Sequence, residues 1–407
     1  MSTKAAGDPA GKQDTTECPA RTLAEVAAEA RDLGLRRIHI LAWRDLDDPE
    51  AGGSELHAHR IASAWASAGL DVTMRTSRAA DQSELALRDG YRVVRRSGRY
   101  AVFPRSVSGE ILRADRRDGL VEIWNGMPFF SPLWAKGPRV VFLHHVHAEM
   151  WQMALPPRLA ALGNFVEQTV APPLYRRTRI VTLSESSRHE IVSMLKMDPD
   201  RVTVVPPGVD ERFSPGGSRS AVPLVVAVGR LVPVKRFDAL IDVLAKVKVD
   251  HPDMRAVIVG EGYERDQLEA RARELGADDW LEMPGKLTDQ DLIDMYRSAW
   301  LLVSASLREG WGMTVTEAGA CGTPAVATRI AGHLDAIEDG SSGILVEDPP
   351  ALAAAVDQLL RDSRERLRLS EGAMRHASLF NWERTASGTL SALVDEARSG
   401  SRPASRN

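Results

Sequence analysis

Short apolar segments alternate with longer amphipathic segments along most of the chain. Residues 36–43 (RRIHILAW) have the length and apolar content of a first strand, and residues 54–68 have the spacing of an amphipathic helix. Further strands are predicted at 70–76, 120–124, 139–144, 179–183 and 202–205, and then at 223–229, 256–260, 280–283, 300–304, 324–328 and 343–346. Because these strands are apolar throughout and are separated by helices, they indicate parallel sheets that are covered on both faces.

The strands fall into two consecutive series, and a turn-rich segment rich in Pro and Gly at residues 206–218 separates them. Two series predict two doubly wound Rossmann-like α/β domains, residues 21–205 and 206–379, with the ligand cleft at the carboxyl ends of the strands. The termini, residues 1–20 and 398–407, are rich in small and polar residues and are predicted to be disordered.

Composition limits the class of protein. The 407 residues suffice for two domains, and 43% hydrophobic and 27% charged residues are typical of a soluble globular protein. The net charge of −4 gives no support for a nucleic-acid partner. Cys18 and Cys321 are far apart, which argues against a disulfide framework or structural zinc and fits a reducing cytoplasm. The chain contains neither an apolar run that could span a bilayer nor a secretory signal.

The strongest chemical signal is the segment SASLREGWGMTVTEAGACGTPAVAT, residues 304–328. A tight glycine loop there precedes a predicted helix over 313–320. The start of such a helix has free backbone N–H groups and a positive dipole end, which suit a diphosphate. The residues of this loop and of the first helical turn are therefore predicted to bind the diphosphate of a sugar–diphosphate–nucleoside, which is called the donor below. They are Gly310, Trp311, Gly312, Met313 and Thr314.

Two glutamates flank this loop with seven residues between them. Glu309 lies at the mouth of the loop, and Glu317 lies about one turn into the helix. One carboxylate can then reach sugar hydroxyls while the other reaches ribose hydroxyls on the far side of the same diphosphate. Glu309 is accordingly predicted to be catalytic, and Glu317 is predicted to bind the donor.

Arg230 and Lys235, in the sequence GRLVPVKRFD, follow a strand that ends at Gly229, and Gly229 is itself predicted to bind the donor. Two cations at the carboxyl end of a strand can hold a diphosphate leaving group and neutralise the charge that develops as the sugar departs. Gly52 and Gly53 open the first long helix of the other domain. They would let the backbone approach the donor from the opposite side of the cleft.

The spacing of Glu309 and Glu317, followed by Gly-Thr-Pro and a strand, resembles the E-x(7)-E motif of retaining glycosyltransferases. The whole context is similar to glycosyltransferase family 4, which has the GT-B fold of two Rossmann-like domains facing a central cleft. Arg230 and Lys235 match the family's Arg-x(4)-Lys pair, although Arg236 stands where the family commonly has glycine. The resemblance is strong over 202–348 and weaker over 36–200.

The resemblance implies further roles. His144 occupies the position of a functional histidine at a strand end, although a one-residue shift in register would select His145. Lys286 and Leu287 lie in the loop that reads the nucleotide base through backbone groups. The final helix, at 380–397, is expected to cross back onto the first domain, whereas the sequence alone also allows it to stay with the second.

The implied reaction moves a sugar from a nucleoside-diphosphate sugar to an acceptor hydroxyl with retention, by front-face attack and without a metal cofactor. The product could be a glycolipid, a polysaccharide or another cell-envelope glycan. A sugar-nucleotide epimerase of the same architecture and a non-catalytic sugar-nucleotide-binding module are the alternatives.

Several other motifs have two interpretations. Ser184 either resembles a family segment or caps a helix. His145 and His147 could in principle bind a metal together, but no partner residues accompany them. Two acidic triplets have the DxD form of metal-using glycosyltransferases: Asp45-Leu46-Asp47, which is interpreted as part of a polar loop, and Asp289-Gln290-Asp291, which is interpreted as a helix start capped by Thr288 or Asp289.

The stretch 88–117 contains nine arginines and three acidic residues. Its apolar residues alternate only partly with the charges, so the pattern suits either an anionic membrane surface or solvated helix and loop faces. A lipid-linked or phosphorylated acceptor, with peripheral contact to the inner face of the membrane, is the corresponding hypothesis.

Overall fold

The computed structural model describes residues 21–79, 82–112 and 116–401. Cys18 and the two predicted disordered tails up to residue 20 and from residue 402 lie outside this range. The described residues form two α/β units, each built on one sheet.

The first sheet has eight strands in the order β3-β4-β2-β1-β5-β6-β7-β8, and every neighbouring pair is parallel except β3 with β4. The strands are β1 Arg37–Leu41, β2 Asp71–Thr76, β3 Leu85–Arg88, β4 Tyr91–Arg95, β5 Gly119–Ile123, β6 Arg139–Phe142, β7 Arg179–Thr182 and β8 Val202–Val204. The helices are α1 Leu23–Asp32, α2 Gly53–Ser67, α3 Val102–Leu112, α4 Ser131–Trp134, α5 Met150–Ala154, α6 Pro157–Phe165, α7 Ala171–Tyr175 and α8 Glu185–Met194, with a π-helical turn at Val166–Val170 between α6 and α7.

The second sheet has six parallel strands in the order β11-β10-β9-β12-β13-β14. The strands are β9 Leu224–Val228, β10 Arg255–Val259, β11 Leu281–Gly285, β12 Leu301–Ser304, β13 Ala325–Thr328 and β14 Gly343–Val346. The helices are α9 Phe237–Asp250, α10 Arg265–Glu274, α11 Asp289–Ser298, α12 Met313–Ala320, α13 His333–Ala336, α14 Pro349–Arg361, α15 Ser363–Ala377 and α16 Trp382–Ser401.

Both sheets reverse their strand order at one point. The reversal lies between β1 and β5 in the first sheet and between β9 and β12 in the second. Ligands of open α/β sheets bind outside the carboxyl ends of the strands at such a point. Gly52 and Gly53 follow β1, Arg230 follows β9 and Glu309 follows β12. The topology therefore brings these predicted site residues to the two reversal points.

Helix α16 packs on the first unit rather than the second. Leu390, Leu393 and Val394 are fully buried in the core that also contains Ile38 of β1 and Trp65 of α2. The indole N–H of Trp65 donates a hydrogen bond of 2.9 Å to the carbonyl of Ala386. The chain therefore crosses back after the second sheet, as the family resemblance implies.

The predicted disorder of residues 398–407 is wrong for residues 398–401, because α16 continues to Ser401. Arg398 forms an ion pair with Glu29 of α1, and a second with Asp395 one turn earlier at 3.5 Å. The pair with Glu29 holds the last turns of α16 against α1.

The hairpin β3–β4 was not predicted from the apolar pattern. Leu85 and Leu87 point to solvent, and charged residues interrupt both strands. The available signal was the Asp89-Gly90 dipeptide, whose φ values of 43° and 86° fit the two-residue turn that favours hairpins.

Candidate active site

Glu309 and Lys235 meet at the centre of the second unit. Lys235 ends a 3₁₀ turn after β9, and its Nζ donates a hydrogen bond to Glu309 Oε1. Ser306 Oγ donates to the same oxygen at 2.8 Å. Burial alone would raise the pKa of Glu309, but Lys235, His333 and these hydrogen bonds outweigh burial and hold the pKa below its ordinary value. Glu309 is therefore an anion at neutral pH.

The glycine loop positions Glu309 beside the start of α12. Gly312 has a φ of 106° and is the N-cap residue of α12, which begins at Met313. Trp311 is buried, and its ring meets Phe380 edge to face at a centroid distance of 4.9 Å. The predicted helix over 313–320 is confirmed, and the half-buried Met313 and Thr314 form its first turn. The first N–H groups of a helix have no partner within the helix, and the binding of a diphosphate at this turn stays a prediction.

The opposite wall of the cleft is the Gly52-Gly53 start of α2. A Cβ atom on Gly52 would lie 3.3 Å from Arg230 Nε, and one on Gly53 would lie 3.1 Å from Met313 Sδ. The guanidinium of Arg230 also donates through Nη1 to the backbone oxygen of Glu50 at 3.4 Å. The two units therefore meet at these glycines, and the structure brings Gly52, Gly53, Arg230 and Met313 together.

The three histidines after β6 take different positions. His144 is buried, and its Nε2 lies 3.2 Å from Nδ1 of His57 on α2. Burial, followed by the neighbouring His145, lowers the pKa of His144 to about 3. The carbonyl of His144 faces Gly310, because a Cβ atom on Gly310 would lie 3.0 Å from it. The backbone of His144, rather than its ring, is thus the part in contact with the glycine loop.

The ring of His145 contacts the glycine loop. A Cβ atom on Gly310 would lie 3.3 Å from His145 Nδ1. Burial, followed by His147 and Arg308, lowers the pKa of His145 to about 3, and Glu309 acts in the opposite direction. Its buried Nε2 has no hydrogen-bond partner among the described residues. Both histidines thus contact the glycine loop, His144 through its carbonyl and His145 through its ring, and the choice between them stays a prediction.

Glu317 lies one turn into α12, on the far side from Glu309. The hydroxyl of Tyr296 donates to Glu317 Oε2 at 3.3 Å. Burial raises the pKa of Glu317 to about 8, and Asp289 and Asp210 add to the increase. In the free protein this carboxyl is mostly protonated at neutral pH, so a ligand that donates hydrogen bonds to it would also change its protonation.

Three loops at the carboxyl ends of β9, β10 and β11 lie next to one another. The N–H of Gly229 donates to Val259 at 3.0 Å, and the N–H of Gly260 donates to the carbonyl of Gly285 at 2.9 Å. Lys286 is exposed and Leu287 is half-buried beyond them. The Gly260-Glu261-Gly262 turn packs closely on the loop after β9, because a Cβ atom on Gly260 would lie 1.9 Å from the carbonyl of Gly229.

The remaining motifs have structural partners. Asp45 lies in the loop between β1 and α2, as predicted; it is fully buried there and forms ion pairs with Arg88 at 2.7 Å and Arg95 at 2.5 Å. Thr288 caps α11 through Asp291 N–H, as predicted. Within the described ranges, no group of three His, Cys, Asp or Glu side chains is placed to hold a metal ion.

Ser184 caps α8 by accepting from Ser187 N–H at 3.0 Å, and its hydroxyl also reaches the carbonyl of Gly310 at 3.3 Å. Asp335 of α13 accepts from the N–H groups of Glu185 at 2.9 Å and Ser186 at 3.2 Å. These contacts tie the start of α8 to the glycine loop and to α13 of the other unit.

Sequence reasoning missed the residues that support Glu309 and the contact between the units. Ser306, His333 and Asp335 have no spacing that marks them, because each reaches the site from a loop or short helix fixed by packing. Arg308 pairs with Glu190 at 2.7 Å across the units, and its position directly before Glu309 was the available signal.

Among the part of the chain that the structure describes, no helix is both long and apolar enough to span a bilayer.

The fold and this site define a class of protein. Residues 51–213 match the family described as Glycosyltransferase Family 4, and residues 208–376 match Glycosyl transferases group 1. The crystal structure of sucrose-phosphate synthase from Thermosynechococcus elongatus superposes with a TM-score of 0.77 at 20% identity, covering 90% of this chain and 100% of that one. Anabaena HepE in complex with UDP-glucose gives 0.69 at 19% identity, covering 89% and 99%. The chain is a glycosyltransferase with the GT-B fold.

Sequence relatives place it within a family. A D-inositol 3-phosphate glycosyltransferase from Acidothermus cellulolyticus is 30% identical over 395 residues, which cover 85% of this chain and 86% of the relative. The protein of the same name from Geodermatophilus obscurus is 36% identical over 259 residues, covering 58% and 56%. The chain belongs to glycosyltransferase family 4.

Proposed function

We propose that the chain is a retaining glycosyltransferase that moves a sugar from a nucleoside-diphosphate sugar to a hydroxyl of a phosphorylated polyol. The name of its relatives suggests D-inositol 3-phosphate as the first acceptor to test. The observation that carries the proposal is the cluster formed by Glu309, Lys235 and the start of α12, which faces Arg230 and Gly52.

In this proposal Arg230, Lys235 and the first turn of α12 hold the diphosphate. Lys235 pairs with Glu309 in the free protein, and Glu309 stands three positions before Gly312, the N-cap of α12. Glu309 accepts hydrogen bonds from the sugar hydroxyls, and Glu317 accepts them from the ribose. These fixed charges lie where negative charge develops on the leaving group, which is where they stabilise the transition state most.

The reaction proceeds at one face of the sugar. The bond from the anomeric carbon to the diphosphate oxygen breaks, and the acceptor oxygen forms a bond to the same face. The proton of the acceptor hydroxyl passes to the departing phosphate oxygen, so no protein base is needed. His145 and the carbonyl of His144 line the sugar side of the cleft. Because Arg230 and Lys235 supply positive charge at the diphosphate, we expect transfer to continue without a divalent metal.

The test is a donor screen with a defined acceptor. UDP-, GDP-, ADP- and dTDP-sugars are incubated with D-inositol 3-phosphate in EDTA, and nucleoside diphosphate release and product anomeric configuration are measured by NMR. Glu309→Gln and Arg230→Ala are the test variants, and Lys246→Met, an exposed substitution on α9, is the control.

An α-linked product from an α-linked donor, lost in both test variants and kept in the control, supports the proposal. A β-linked product contradicts retention. An isomerised donor without transfer identifies the epimerase alternative, and tight donor binding without turnover on any acceptor identifies a binding module.

A further inference from the structure

A small basic cavity lies in the first unit, away from the donor cleft. Its volume is about 150 Å³, and it lies where β2 and β4 end, under α3. Three arginines and three serines are among the residues that line it: Arg75, Arg96, Arg105, Ser97, Ser106 and Ser108.

The deepest cation of the cavity, Arg75, is already fixed in place. Arg75 is buried and pairs through Nε with Glu110. The same carboxylate accepts from Arg117 at 2.7 Å and contacts His39 Nδ1 at 2.8 Å. Glu110 is thus shared between two arginines and a histidine, so it leaves the cavity with excess positive charge.

The other two arginines of the cavity have no carboxylate partner among the described residues. Arg96 Nε is buried and has no hydrogen-bond partner there. Most other arginines of the basic stretch are neutralised by carboxylates. These pairs are Arg88 and Arg95 with Asp45, Arg92 with Asp71, and Arg99 with Glu50. Among the described arginines of the stretch, three have no carboxylate partner; Arg96 and Arg105 line this cavity, and Arg116 lies outside it.

This arrangement has the chemistry of a site for a compact anion. Guanidinium groups present several N–H donors in a plane that matches phosphate oxygens, and serine hydroxyls add neutral donors. Arg75 is held by its own ion pair, so it would lose little conformational freedom on binding. We propose that the cavity bounded by Arg75, Arg96 and Arg105 binds a phosphate monoester group.

The position of the cavity relates it to the acceptor. Its strand ends share the carboxyl edge of the sheet with β1, and β4 is two strand spacings, roughly 10 Å, from β1. Arg99, three residues after Arg96, pairs with Glu50, whose carbonyl accepts from Arg230. A phosphate bound here would therefore lie on the same edge of the sheet as the donor cleft and would be that of the acceptor. This assignment to the acceptor rests on the proposed function, whereas the phosphate site itself does not.

Two sources of the phosphate are distinguishable. It could belong to a soluble acceptor or to a lipid headgroup. Ile111 and Leu112 stand at the end of α3 beside the cavity, and they are 58% and 82% exposed. A lipid phosphate would bring acyl chains next to these side chains, whereas a soluble phosphate needs only the arginines.

The first experiment titrates the full chain with inorganic phosphate at constant ionic strength and follows binding by calorimetry. The variants are Arg96→Gln and Arg105→Gln, each of which removes one charge from the cavity. Arg116→Gln is the matched control, because it removes one charge from the same stretch at an exposed residue outside the cavity. Arg230→Ala is included because it would weaken the binding of inorganic phosphate if the phosphate bound at the donor cleft instead of the cavity. We expect affinity to fall about tenfold or more in the two cavity variants and to persist in the other two.

The second arm measures co-sedimentation with phosphatidylcholine vesicles that contain phosphatidic acid, a lipid phosphate monoester. If inorganic phosphate binds and the binding depends on Arg96 and Arg105, the natural ligand is assigned as a soluble phosphate. Vesicle binding with the same dependence, without binding of inorganic phosphate, assigns a lipid headgroup. If neither ligand binds, or if Arg116→Gln weakens binding as much as the cavity variants, the proposal is overturned. None of these measurements needs turnover, so failure here leaves the transferase proposal untouched.

Discussion

Lys235 and Glu309 form an ion pair between Nζ and Oε1, although 74 residues separate them in the chain and each follows a different strand. The pair exists because β9 and β12 are neighbours at the point where the second sheet reverses its order. It places a carboxylate and an ammonium next to the start of α12. The first prediction depends on this relationship.

Lys235→Met is expected to reduce transfer by about 100-fold or more, because it removes a fixed charge from the predicted diphosphate site. The substitution also removes the group that most strongly lowers the pKa of Glu309, so burial would then raise that pKa. The measurement is kcat as a function of pH, in which the acidic limb should move to higher pH. Lys246→Met is the control. Unchanged kcat in Lys235→Met would contradict the role given to this lysine.

The raised pKa of Glu317 predicts that the affinity for the donor depends on pH. Its pKa of about 8 in the free protein means that the carboxyl is mostly protonated at pH 6. Ribose hydroxyls donate to the ionised form, so binding should release a proton, and affinity should rise with pH. For a ligand that binds only the ionised form, the affinity increases about fiftyfold between pH 6 and pH 8.

A nucleotide sugar suits this measurement, because its diphosphate is esterified at both ends and does not titrate in this range. Calorimetry in buffers of different ionisation enthalpy gives the number of protons released. Glu317→Gln should bind more weakly at pH 8 and lose the dependence on pH. A flat profile for the unmodified protein would contradict the predicted ribose contact.

Gly310→Ala should separate the two walls of the cleft. The added Cβ would lie 3.0 Å from the carbonyl of His144, which is backbone and has little freedom to move. We expect the KM for the donor to rise severalfold with a smaller effect on thermal stability, because the strain falls on the contact between the units. Gly98→Ala is the control, since its Cβ would meet nothing within 4 Å. Equal KM values in both variants would show that this contact does not position the donor loop.

Leu393→Ala tests whether the return of α16 to the first unit stabilises the protein. Leu393 is 0% exposed in the core shared with β1 and α2, so truncation should cost about 2–5 kcal/mol. Leu367 on α15 is 63% exposed, and Leu367→Ala should change stability by less than about 0.5 kcal/mol. Chemical denaturation of both variants gives the comparison. A small loss for Leu393→Ala would mean that α16 contributes little to the fold.

The apolar pattern predicted the buried strands well, because each of them is apolar on both faces and lies between two helices. The hairpin β3–β4 was not predicted from this pattern because it lies at the edge of the sheet, where Leu87 is exposed and Arg95 is buried. The buried guanidinium of Arg95 forms an ion pair with Asp45 there, rather than apolar contacts. Such a pairing depends on a residue 50 positions away, and no local period reveals it.

The sequence by itself determined the two-sheet architecture, the helix that starts at Met313 and the positions of Glu309, Glu317, Arg230 and Lys235, since these follow from local periodicity and from a motif of fixed spacing. Only the tertiary structure decided which histidine ring faces Gly310, since a side chain's direction at a strand end depends on what packs around it. The tertiary structure also decided which arginines of the basic stretch remain unpaired. Their carboxylate partners come from distant loops, and charge balance within a cavity is a property of the folded chain alone.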